Sequence, residues 1–488
     1  MGFYFNSMNN TDENNLIPKI GLEIHLQLNT NSKLFCSCKN SSAEKPNTNI
    51  CPICLGYPGS MPNLNQETVK KAVELGIALN SNINLTSSFD RKNYFYPDLP
   101  KGFQITQNRT PICQNGFLSY YNQDNLICKT GITQIHIEED SGKMVHTNDE
   151  SLIDFNRAGI PLLEIVTEPE FNSPEDALHF LKELKLTITY LGISDCEMHN
   201  GSLRVDANIS LFDQLKNINY KKSEIKNLNS FWNVKDALDY EIIQQKDLLF
   251  QNKLPKNFTL LWDEKNKSTK TIRKKISKDE YRFIPEPDIP SLKISSEEIS
   301  IIKENLYPLP ENYRNILISK YKLSIKQANS LVSDKGLLEY FIKISKHTKN
   351  YVSVFNWLTG EISSKLKTKK ISYSQLYKSA KNFIELIELA NSKTISLLSA
   401  KEILTEVIIE NLSPVKITRD KNLIQSSDKE EIKKLITEVI NKNQDLVVKY
   451  KEGKKSLAGY FIGMVNKVSV QKINPKILRE ELIKILDS

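Results

Sequence analysis

Apolar and polar residues alternate along several segments of the first half of the chain, and this pattern predicts half-buried β-strands. In IGLEIHLQL, residues 20–28, every even-numbered position is apolar, while Glu23, His25 and Gln27 hold odd-numbered positions. Successive side chains of a strand point to opposite faces, so residues two apart share a face at a spacing of about 6.6 Å. Glu23, His25 and Gln27 are therefore expected on one face of a sheet.

Two further segments repeat this pattern of polar positions. In LRVDANISL, residues 203–211, polar side chains alternate with apolar ones. The polar members of this segment are Arg204, Asp206, Asn208 and Ser210. The segment IHIEED, residues 135–140, ends in the acids Glu138, Glu139 and Asp140. Asp and Asn are poor strand formers, so their position inside a strand needs a specific reason.

Acids and one imidazole from these three segments could converge on a divalent cation. Carboxylate oxygens are the usual ligands of hard cations, and Mg²⁺ is the leading candidate for such a site. The competing interpretation is the solvated outer face of an ordinary half-buried sheet. Spacing alone leaves both interpretations open.

The sequence changes character after Pro290, where Lys, Glu, Leu and Ile segments with helical spacing replace the alternating pattern. This change predicts a sheet-bearing domain over residues 18–293, followed by helices. A weaker boundary near Pro414 divides the helical part into predicted domains over 294–410 and 411–488.

Two helix starts are marked by Pro at the first helical position. Ser173-Pro174-Glu175-Asp176 is a capping-box start, and Asn474-Pro475 begins a final helix. The apolar stripe of the first helix consists of Ala177, Leu181, Leu184, Ile188 and Leu191. The stripe of the last helix consists of Leu478, Leu482 and Ile485.

Composition is that of an ordinary globular protein, with 488 residues, of which 39% are hydrophobic and 25% charged. No apolar run approaches the roughly 18 residues that span a bilayer, so no membrane association is expected. Residues 1–17 contain two acids and no Lys or Arg, unlike a signal or transit peptide. We therefore expect a disordered lead on a cytoplasmic protein. The net charge of +8 permits a polyanionic partner without requiring one.

Four of the seven cysteines form two closely spaced pairs, Cys36-x-Cys38 and Cys51-x-x-Cys54. Two such pairs can supply the four thiolates of a tetrahedral zinc site, which would be structural because no coordination position stays open. Buried unpaired thiols and redox-active pairs are the alternatives. The scattered residues Cys113, Cys128 and Cys196 are expected to be small buried hydrophobes.

Basic residues recur close to the predicted strands, among them Lys92 in FDRKNYFYPDLPKGFQ. Mg²⁺ together with Lys and Arg side chains can hold and transfer a phosphoryl group. The chain nevertheless contains neither G-x-x-x-x-G-K-[ST] nor G-x-G-x-x-G, so a nucleotide site would be of neither common loop type. The residues alone thus indicate a possible metal-phosphate enzyme with a zinc-stapled loop.

Eight long motifs occur together and in a fixed order along the chain. They are IGLEIHLQL, PNTNICPICLGYPGSMPNLN, FDRKNYFYPDLPKGFQITQ, IHIEEDSGK, DFNRAGIPLLEIVTEPE, GSLRVDANISL, EIKNLNSF and YRFIPEPDIP. In this arrangement the chain resembles the B subunit of aspartyl/glutamyl-tRNA amidotransferase. The resemblance extends into the helical half through NWLTGEI and GYFIGMVNK.

The resemblance implies an α+β protein with a cradle domain on an antiparallel β-sheet, an all-α helical domain and a small helical tail domain that binds tRNA. It implies that ATP phosphorylates the side-chain carboxylate of Glu-tRNA(Gln) or Asp-tRNA(Asn), and that ammonia then displaces the phosphate. The ammonia would come from an amidase, the A subunit, in a heterotrimer with a small C subunit. This chain has no amidase-type Gly/Ser-rich catalytic region and is not expected to hydrolyse glutamine.

Matching positions carry the site over to this chain. The resemblance implies a catalytic role for Glu23, His25, Glu139 and Asp206 and magnesium ligation by Glu23, His25, Glu138, Glu139 and Asp206. Lys92, Glu138, Glu164 and Asn208 are the implied ATP-binding candidates. The clustered cysteines Cys36, Cys38, Cys51 and Cys54 match the zinc-bearing members.

Three positions, in two segments, depart from the family pattern. His199 and Asn200 stand where many relatives have two glutamates, and Leu260 stands where relatives often have arginine. The basic run between Lys265 and Lys278 could supply positive charge near Leu260, although a solvated hairpin face is the favoured interpretation of this run. A non-catalytic tRNA-binding module is the main alternative function, but its acidic sheet face would repel phosphate without an intervening cation.

Overall fold

The alternating segments form strands that bury one side and expose the other, and most of them join one large β-sheet. The structure, a computed structural model, describes residues 15–274, 281–426, 428–469 and 472–487. Its strands in chain order are β1 Leu16–Gln27, β2 Asn82–Ile83, β3 Thr86–Ser87, β4 Asp90–Asn93, β5 Phe103–Thr106, β6 Cys113–Tyr121, β7 Ile127–Glu139, β8 Lys143–His146, β9 Ser151–Asp154, β10 Pro161–Thr167, β11 Leu203–Asp213, β12 Ile218–Asn219, β13 Ser223–Leu228, β14 Phe258–Asp263, β15 Ser268–Lys274, β16 Ile284–Pro285, β17 Leu292–Lys293, β18 Gln425–Ser426 and β19 Lys472–Ile473.

The large sheet has the strand order β15-β14-β13-β11-β1-β10-β7-β6-β2, with β12 added to β11. Its pairings are antiparallel except that of β13 with β14, which is parallel. The sheet was predicted to be antiparallel, and it is instead mixed, because it contains this one parallel pairing. A smaller sheet has the order β16-β4-β5, and two-stranded sheets join β17 to β3, β18 to β19 and β8 to β9.

The register of β1 is held by its apolar side. Ile20, Leu22, Ile24 and Leu26 are each at most 1% exposed and belong to the main hydrophobic core. Burying such a side chain contributes about 1.5–3 kcal/mol, and a slip of one residue would turn all four towards the polar face. The burial of this stripe therefore fixes the polar residues between them on the opposite face.

Helices cover the apolar side of the sheet. The helices of this part are α1 Gln66–Ala78, α2 Pro174–Leu191, α3 Phe231–Phe250 and α4 Ser296–Glu304. The predicted start of α2 is confirmed, since the Ser173 side chain accepts a hydrogen bond from the backbone N–H of Asp176 and Pro174 opens the helix. Ala177, Phe180 and Leu181 of α2 pack in the same core as β1.

The carboxyl-terminal part is helical, as the sequence predicts. Its helices are α5 Pro310–Ser319, α6 Ile325–Val332, α7 Lys335–Ile344, α8 Tyr351–Trp357, α9 Ser363–Lys369, α10 Ala380–Asn391, α11 Leu397–Ile408, α12 Pro414–Asp420, α13 Lys429–Asn441, α14 Gln444–Lys451, α15 Leu457–Val468 and α16 Pro475–Asp487. The predicted final helix begins at Pro475, with Leu478 and Leu482 buried and Ile485 partly buried. None of the described helices is long and apolar enough to cross a membrane.

The chain divides into two compact units, Met1–Pro310 and Glu311–Ser488. Helix α4 belongs to the first unit, so the unit boundary lies after the predicted boundary at residue 293. Strand β1 begins at Leu16, which brings two residues of the predicted lead, 1–17, into the sheet. Residues 1–14 lie outside the described ranges, and the further division at 410 stays a prediction.

Candidate active site on the polar sheet face

The centre of the polar face is formed by strand β1 and its two neighbours. Glu23 lies directly opposite Asp206 of β11, and His25 lies between Glu164 of β10 and Arg204 of β11. Residues opposite each other in adjacent strands point to the same face, so the register brings these five side chains together. The shared polar face that alternation predicts is present in the structure.

A first group on this face combines histidines and glutamates. The Nε2 atom of His25 lies 3.5 Å from Glu138 Oε1 and 3.6 Å from Glu164 Oε2. Nε2 of His136 lies 3.0 Å from the same Glu164 oxygen. Ligand atoms of His25, Glu138 and Glu164 all lie within 4.8 Å of one another, which is close enough for one metal ion.

The two glutamates of this group differ in how readily they ionise. Burial and the neighbouring charge of Glu164 raise the pKa of Glu138. Burial acts on Glu164 in the same direction, but His136 and His25 outweigh it and lower the pKa of that carboxyl. Burial disfavours the charged form of His136, but Glu164 and Glu138 outweigh it and raise the pKa of this imidazole. Glu164 is therefore the ionised carboxylate of the group. A bound cation would take the place of the imidazolium as the positive charge near both carboxyls, and it would favour ionisation of Glu138 as well.

A second group lies on the other side of Glu23. Ligand atoms of Glu23, Asp206 and Glu224 lie within 4.8 Å of one another, and Asn208 Nδ2 donates to Glu23 Oε1 at 2.9 Å. The Lys226 ammonium forms an ion pair with Asp206 and lies 3.5 Å from Glu224 Oε1. Although partial burial opposes it, these carboxylates raise the pKa of Lys226. The group therefore already holds one positive charge among its acids.

The ligands that were expected to share one magnesium site are thus divided between two groups. Glu139 joins neither of them, because consecutive residues of β7 point to opposite faces and Glu138 takes the polar one. The Glu139 carboxylate instead accepts from Lys101 Nζ at 2.5 Å and from the backbone N–H of Ile105 at 2.9 Å. It lines a cavity of about 220 Å³ that also borders Cys36 and Cys54.

Lys92 approaches the first group from the smaller sheet. It lies on β4, with its ammonium 5.7 Å from the ring centroid of Tyr94 and 5.0 Å from that of Tyr281. The positive charge of Lys92 favours the ionised forms of Glu138 and Glu164, because it acts to lower the pKa of both carboxyls. Within the described parts of the chain, its ammonium forms no salt bridge, so it stays available for an anionic ligand.

The four clustered cysteines come together as their spacing predicts. Ligand atoms of Cys36, Cys38, Cys51 and Cys54 lie within 4.8 Å of one another, and the backbone N–H of Cys51 donates to Cys54 Sγ at 3.1 Å. Such a thiol set is the usual composition of a structural zinc site. The other thiols lie apart: Cys113 and Cys196 are fully buried, as expected, whereas Cys128 is only partly buried.

Two features of the cysteine cluster fit a bound cation. Hydrogen bonding to Cys54 and burial raise the pKa of Cys36, while the bond from Cys36 lowers the pKa of Cys54 to about 5. Ionisation of Cys54 therefore disfavours ionisation of Cys36, and a bound metal cation would compensate the negative charge of both. Lys33 is fully buried, and its ammonium donates to the carbonyl of Asn49 at 3.0 Å. Its positive charge also helps to lower the pKa of Cys54. A tetrathiolate metal centre would supply the counter-charge that a buried ammonium needs.

Sequence reasoning missed His136 and Glu224 as members of the two groups. His136 precedes Glu138 by two residues in IHIEED, so the alternation already placed both on one face. Glu224 precedes Lys226 by two residues in SEIKNL, where only the lysine drew attention. In both cases the available signal was a polar residue two positions before a polar residue already assigned to the face, within the same short strand.

The positions that depart from the family pattern lie outside these groups. His199 is part of a short 3-10 turn, Met198–Asn200, with 72% of its side chain exposed and Nδ1 3.3 Å from Glu197 Oε2. Leu260 is buried in β14 as part of the core. Two lysines of the basic run form ion pairs with surface acids, Lys267 with Asp236 at 2.7 Å and Lys270 with Asp263 at 2.6 Å. This supports the solvated-hairpin interpretation, while residues 275–278 of the run lie outside the described ranges.

Comparison with known proteins agrees with this architecture. Residues 18–300 match the family model described as GatB/GatE catalytic domain, and residues 339–486 match the model described as GatB domain. The chain is 39% identical over 468 residues to the B subunit of aspartyl/glutamyl-tRNA(Asn/Gln) amidotransferase from Clostridium novyi, and the match covers 96% of this chain and 98% of the relative. It is 42% identical over 480 residues to the protein of the same name from Crocosphaera subtropica, where the match covers 96% of this chain and 97% of the relative. The chain therefore belongs to the GatB/GatE family.

Proposed function

We propose that the chain is the ATP-dependent subunit of a tRNA-dependent amidotransferase that converts Glu-tRNA(Gln), Asp-tRNA(Asn) or both into the amidated forms. The observation that carries the proposal is the convergence of carboxylates and imidazoles on the polar sheet face. Buried carboxylates repel one another and persist only where a cation or a positive side chain compensates them. Family membership supplies the reaction in which such a site is needed.

The proposed chemistry has two steps. A side-chain carboxylate is a poor acyl donor, so one of its oxygens first attacks the γ-phosphorus of ATP, and ADP leaves. The nitrogen of ammonia then attacks the acyl carbon, the bond from this carbon to the phosphorylated oxygen breaks, and inorganic phosphate leaves with that oxygen. Each step exchanges one leaving group for one nucleophile, and the ammonia loses a proton to solvent or a nearby base.

The two groups of the polar face suit divalent cations. The all-oxygen group, Glu23, Asp206 and Glu224, matches the ligand preference of Mg²⁺, and the group of His25, Glu138 and Glu164 offers mixed nitrogen and oxygen ligands. Bound Mg²⁺ would neutralise the phosphate charge that builds up during transfer. Asn208 orients Glu23 through its hydrogen bond.

Two side chains outside these groups have separate roles in the proposal. Lys92 holds a phosphate of ATP. Glu139, tied to Lys101 and lining the cavity beside the cysteine loop, acts at the nucleotide rather than as a metal ligand. This assignment replaces the single ligand set that the sequence motifs imply.

The cysteine cluster is proposed to bind a structural zinc ion. Four thiol ligands leave no position for substrate, so the metal would hold the loop of residues 36–54 in place. This loop borders the cavity that Glu139 lines. The zinc would therefore stabilise one wall of the candidate nucleotide site.

The proposal implies partners and a location. The matched relatives are named as a B subunit, and this chain would receive ammonia from an amidase, the A subunit, assembled with a small C subunit. The helical tail would bind the tRNA. Charged tRNA and reduced thiols both favour the cytoplasm.

A direct assay tests the proposal against the binding-only alternative. The chain, purified with its amidase partner, is given ATP, Mg²⁺, Glu-tRNA(Gln) and glutamine, and parallel reactions replace glutamine with ammonium chloride or omit the tRNA. We expect ADP and Gln-tRNA in amounts that agree, from either nitrogen source, and little ADP without tRNA. A complex that binds the tRNA but forms no ADP above background would leave only the binding module.

A further inference from the structure

The positive side chains around the polar face differ in how many of their N–H donors already contact acids of the protein. Lys226 is paired with Asp206 and Glu224, and Lys101 is paired with Glu139. Each of these ammonium groups balances acids of the protein itself. They are therefore poor candidates for holding a substrate anion.

Arg91, beside Lys92 in β4, is also committed to protein acids. Its Nε and Nη2 atoms donate to the two Glu286 oxygens at 2.8 and 2.9 Å, and Nη2 lies 3.1 Å from Asp288 Oδ2. This is a bidentate arginine–carboxylate pair, the strongest common form of such a contact. Arg91 is thus a structural link between β4 and the segment that carries Glu286.

Arg204 is different, because its guanidinium is only partly used. One nitrogen, Nη2, donates to Asp140 Oδ2 at 2.9 Å, while the buried Nε–H has no acceptor among the residues described here. The side chain remains 38% exposed. A guanidinium carries five N–H donors and stays charged at all physiological pH values. Among the described residues only Asp140 accepts from this guanidinium, so its exposed end keeps donors that are suited to an anion.

The position of Arg204 places these donors at the proposed site of reaction. It lies directly across from His25 in the β1–β11 pairing, on the same face, and two residues before Asp206 on its own strand. The negative charges of Glu138 and Asp206 both favour the charged form of the guanidinium, because they act to raise its pKa. Arg204 therefore lies between the two acidic groups, whereas Lys92 comes from the smaller sheet.

We propose that Arg204 binds an oxyanion of the substrate, which is either the side-chain carboxylate of the aminoacyl group or the phosphoryl group in transfer. The inference rests on the proposed function and names a binding residue within it. Asp140 holds the guanidinium in place by its hydrogen bond to Nη2, and the exposed donors receive the oxyanion. The planar fork of arginine matches both carboxylate and phosphate, which the ammonium of lysine cannot reproduce.

Arg157 offers a matched control, since it also pairs with Asp140, with Nε 3.6 Å from Oδ2. Its donors are used internally, because Nε donates to the Ser141 carbonyl at 3.0 Å and Nη2 to the Gly142 carbonyl at 2.7 Å. Loss of packing around Asp140 would therefore affect variants of both arginines. Loss of an oxyanion contact would affect only variants of Arg204.

The test measures steady-state kinetics of the complete complex carrying Arg204→Lys, Arg204→Gln or Arg157→Lys. One arm varies ATP, and the other varies Glu-tRNA(Gln), with binding of charged and uncharged tRNA measured in parallel. We expect both Arg204 variants to lower kcat/KM about 10- to 100-fold, the size expected for a charge-assisted hydrogen bond. If the oxyanion is the carboxylate, affinity falls for charged but not uncharged tRNA. If it is the phosphoryl group, the loss appears in the ATP arm.

Arg157→Lys should stay within about twofold of the wild type in both arms, and thermal unfolding midpoints confirm that the variants fold. Kinetics of Arg204→Lys equal to those of the wild type would overturn the inference, as would equal losses in Arg157→Lys. A wild-type complex that forms no ADP would overturn the proposed function together with the inference. Wild-type activity with an unaffected Arg204→Lys complex would overturn the inference alone.

Discussion

At the scale of single residues, the polar face is defined by charges that lie close together and lack full contact with water. Glu138 is buried and the Glu164 side chain is 14% exposed, yet both lie within 4 Å of a histidine nitrogen. The histidines compensate Glu164 more than Glu138. Removing one imidazole would leave two carboxylates without adequate neutralisation, which is costly in a poorly solvated site.

The His25→Ala variant should lose amidation while keeping tRNA binding. His25 lies within 3.6 Å of both glutamates of the first group, so its removal takes away a candidate metal ligand and a contact that favours ionisation of both carboxyls. We expect kcat to fall by about 100-fold or more, the scale seen when one electrostatic contact to a transition state is lost. The measurement is Gln-tRNA formation together with tRNA binding. His146→Ala, in the exposed β8–β9 hairpin, is the matched control, and a fully active His25→Ala complex would remove His25 from the site.

Cation binding at the first group should release a proton and strengthen as the pH rises. Burial and Glu164 raise the pKa of Glu138, so at mildly acidic pH this carboxyl is protonated more often than an ordinary glutamate. A cation binds the ionised form, and the proton must leave. Above the raised pKa the carboxyl is already ionised, so the pH dependence should level off there.

Titration calorimetry with Mg²⁺ or Mn²⁺, in two buffers of different ionisation enthalpy, measures this proton release. Glu138→Gln should reduce the buffer dependence, because the amide has no proton to lose, while the imidazolium of the same group can still release its proton. An identical heat in both buffers for the wild type at mildly acidic pH would show that Glu138 is not ionised by the metal.

At the scale of elements, the alternation in β1, β7 and β11 was sufficient to predict which side chains share the polar face. The burial of Leu22 and Ile24 on one side leaves no other place for Glu23 and His25. The pairing of strands far apart in the chain could not be read in the same way. That pairing separates Glu23 from His25 into different groups, because Glu23 meets Asp206 while His25 meets Glu164.

Glu139 shows the same limitation at the end of a strand. Motif matching grouped it with Glu138, but consecutive strand residues face opposite sides, and Lys101 and the Ile105 backbone hold Glu139 on its own side. Lys101 lies in the loop between β4 and β5, 38 residues before Glu139 in the chain, so no local pattern connects the two. The candidate site was therefore predictable by residue type and by face, and its division into groups depends on tertiary pairing.

The loop carrying the cysteines should hold about one zinc per chain, and Cys51→Ser should lose it. The four sulfurs already lie within one metal's reach, so replacing one thiolate removes a quarter of the coordination shell. Elemental analysis of purified protein measures the zinc. Cys128→Ser, a scattered cysteine outside the cluster, should keep its zinc. A folded wild-type protein without zinc would contradict the assignment.

At the scale of the whole molecule, the change of sequence pattern after Pro290 correctly predicted a sheet-bearing part followed by a helical part. The precise unit boundary could not be read from the sequence, because α4 has helical spacing but packs with α1 of the first unit. All of the candidate site residues belong to the first unit. We therefore expect the proposed chemistry to depend on this unit, while tRNA binding by the helical tail stays a prediction.

In the proposed reaction, the phosphoryl group of ATP is transferred to the side-chain carboxylate of the glutamate or aspartate that the tRNA carries. The most direct test charges tRNA(Gln) with glutamate that carries oxygen-18 in both side-chain carboxylate oxygens. The complete complex is then supplied with unlabelled ATP, Mg²⁺ and ammonia, and the inorganic phosphate is analysed by mass spectrometry. We expect one oxygen-18 atom in each phosphate released, and as much labelled phosphate as Gln-tRNA. Unlabelled phosphate, formed while Gln-tRNA accumulates, would contradict it.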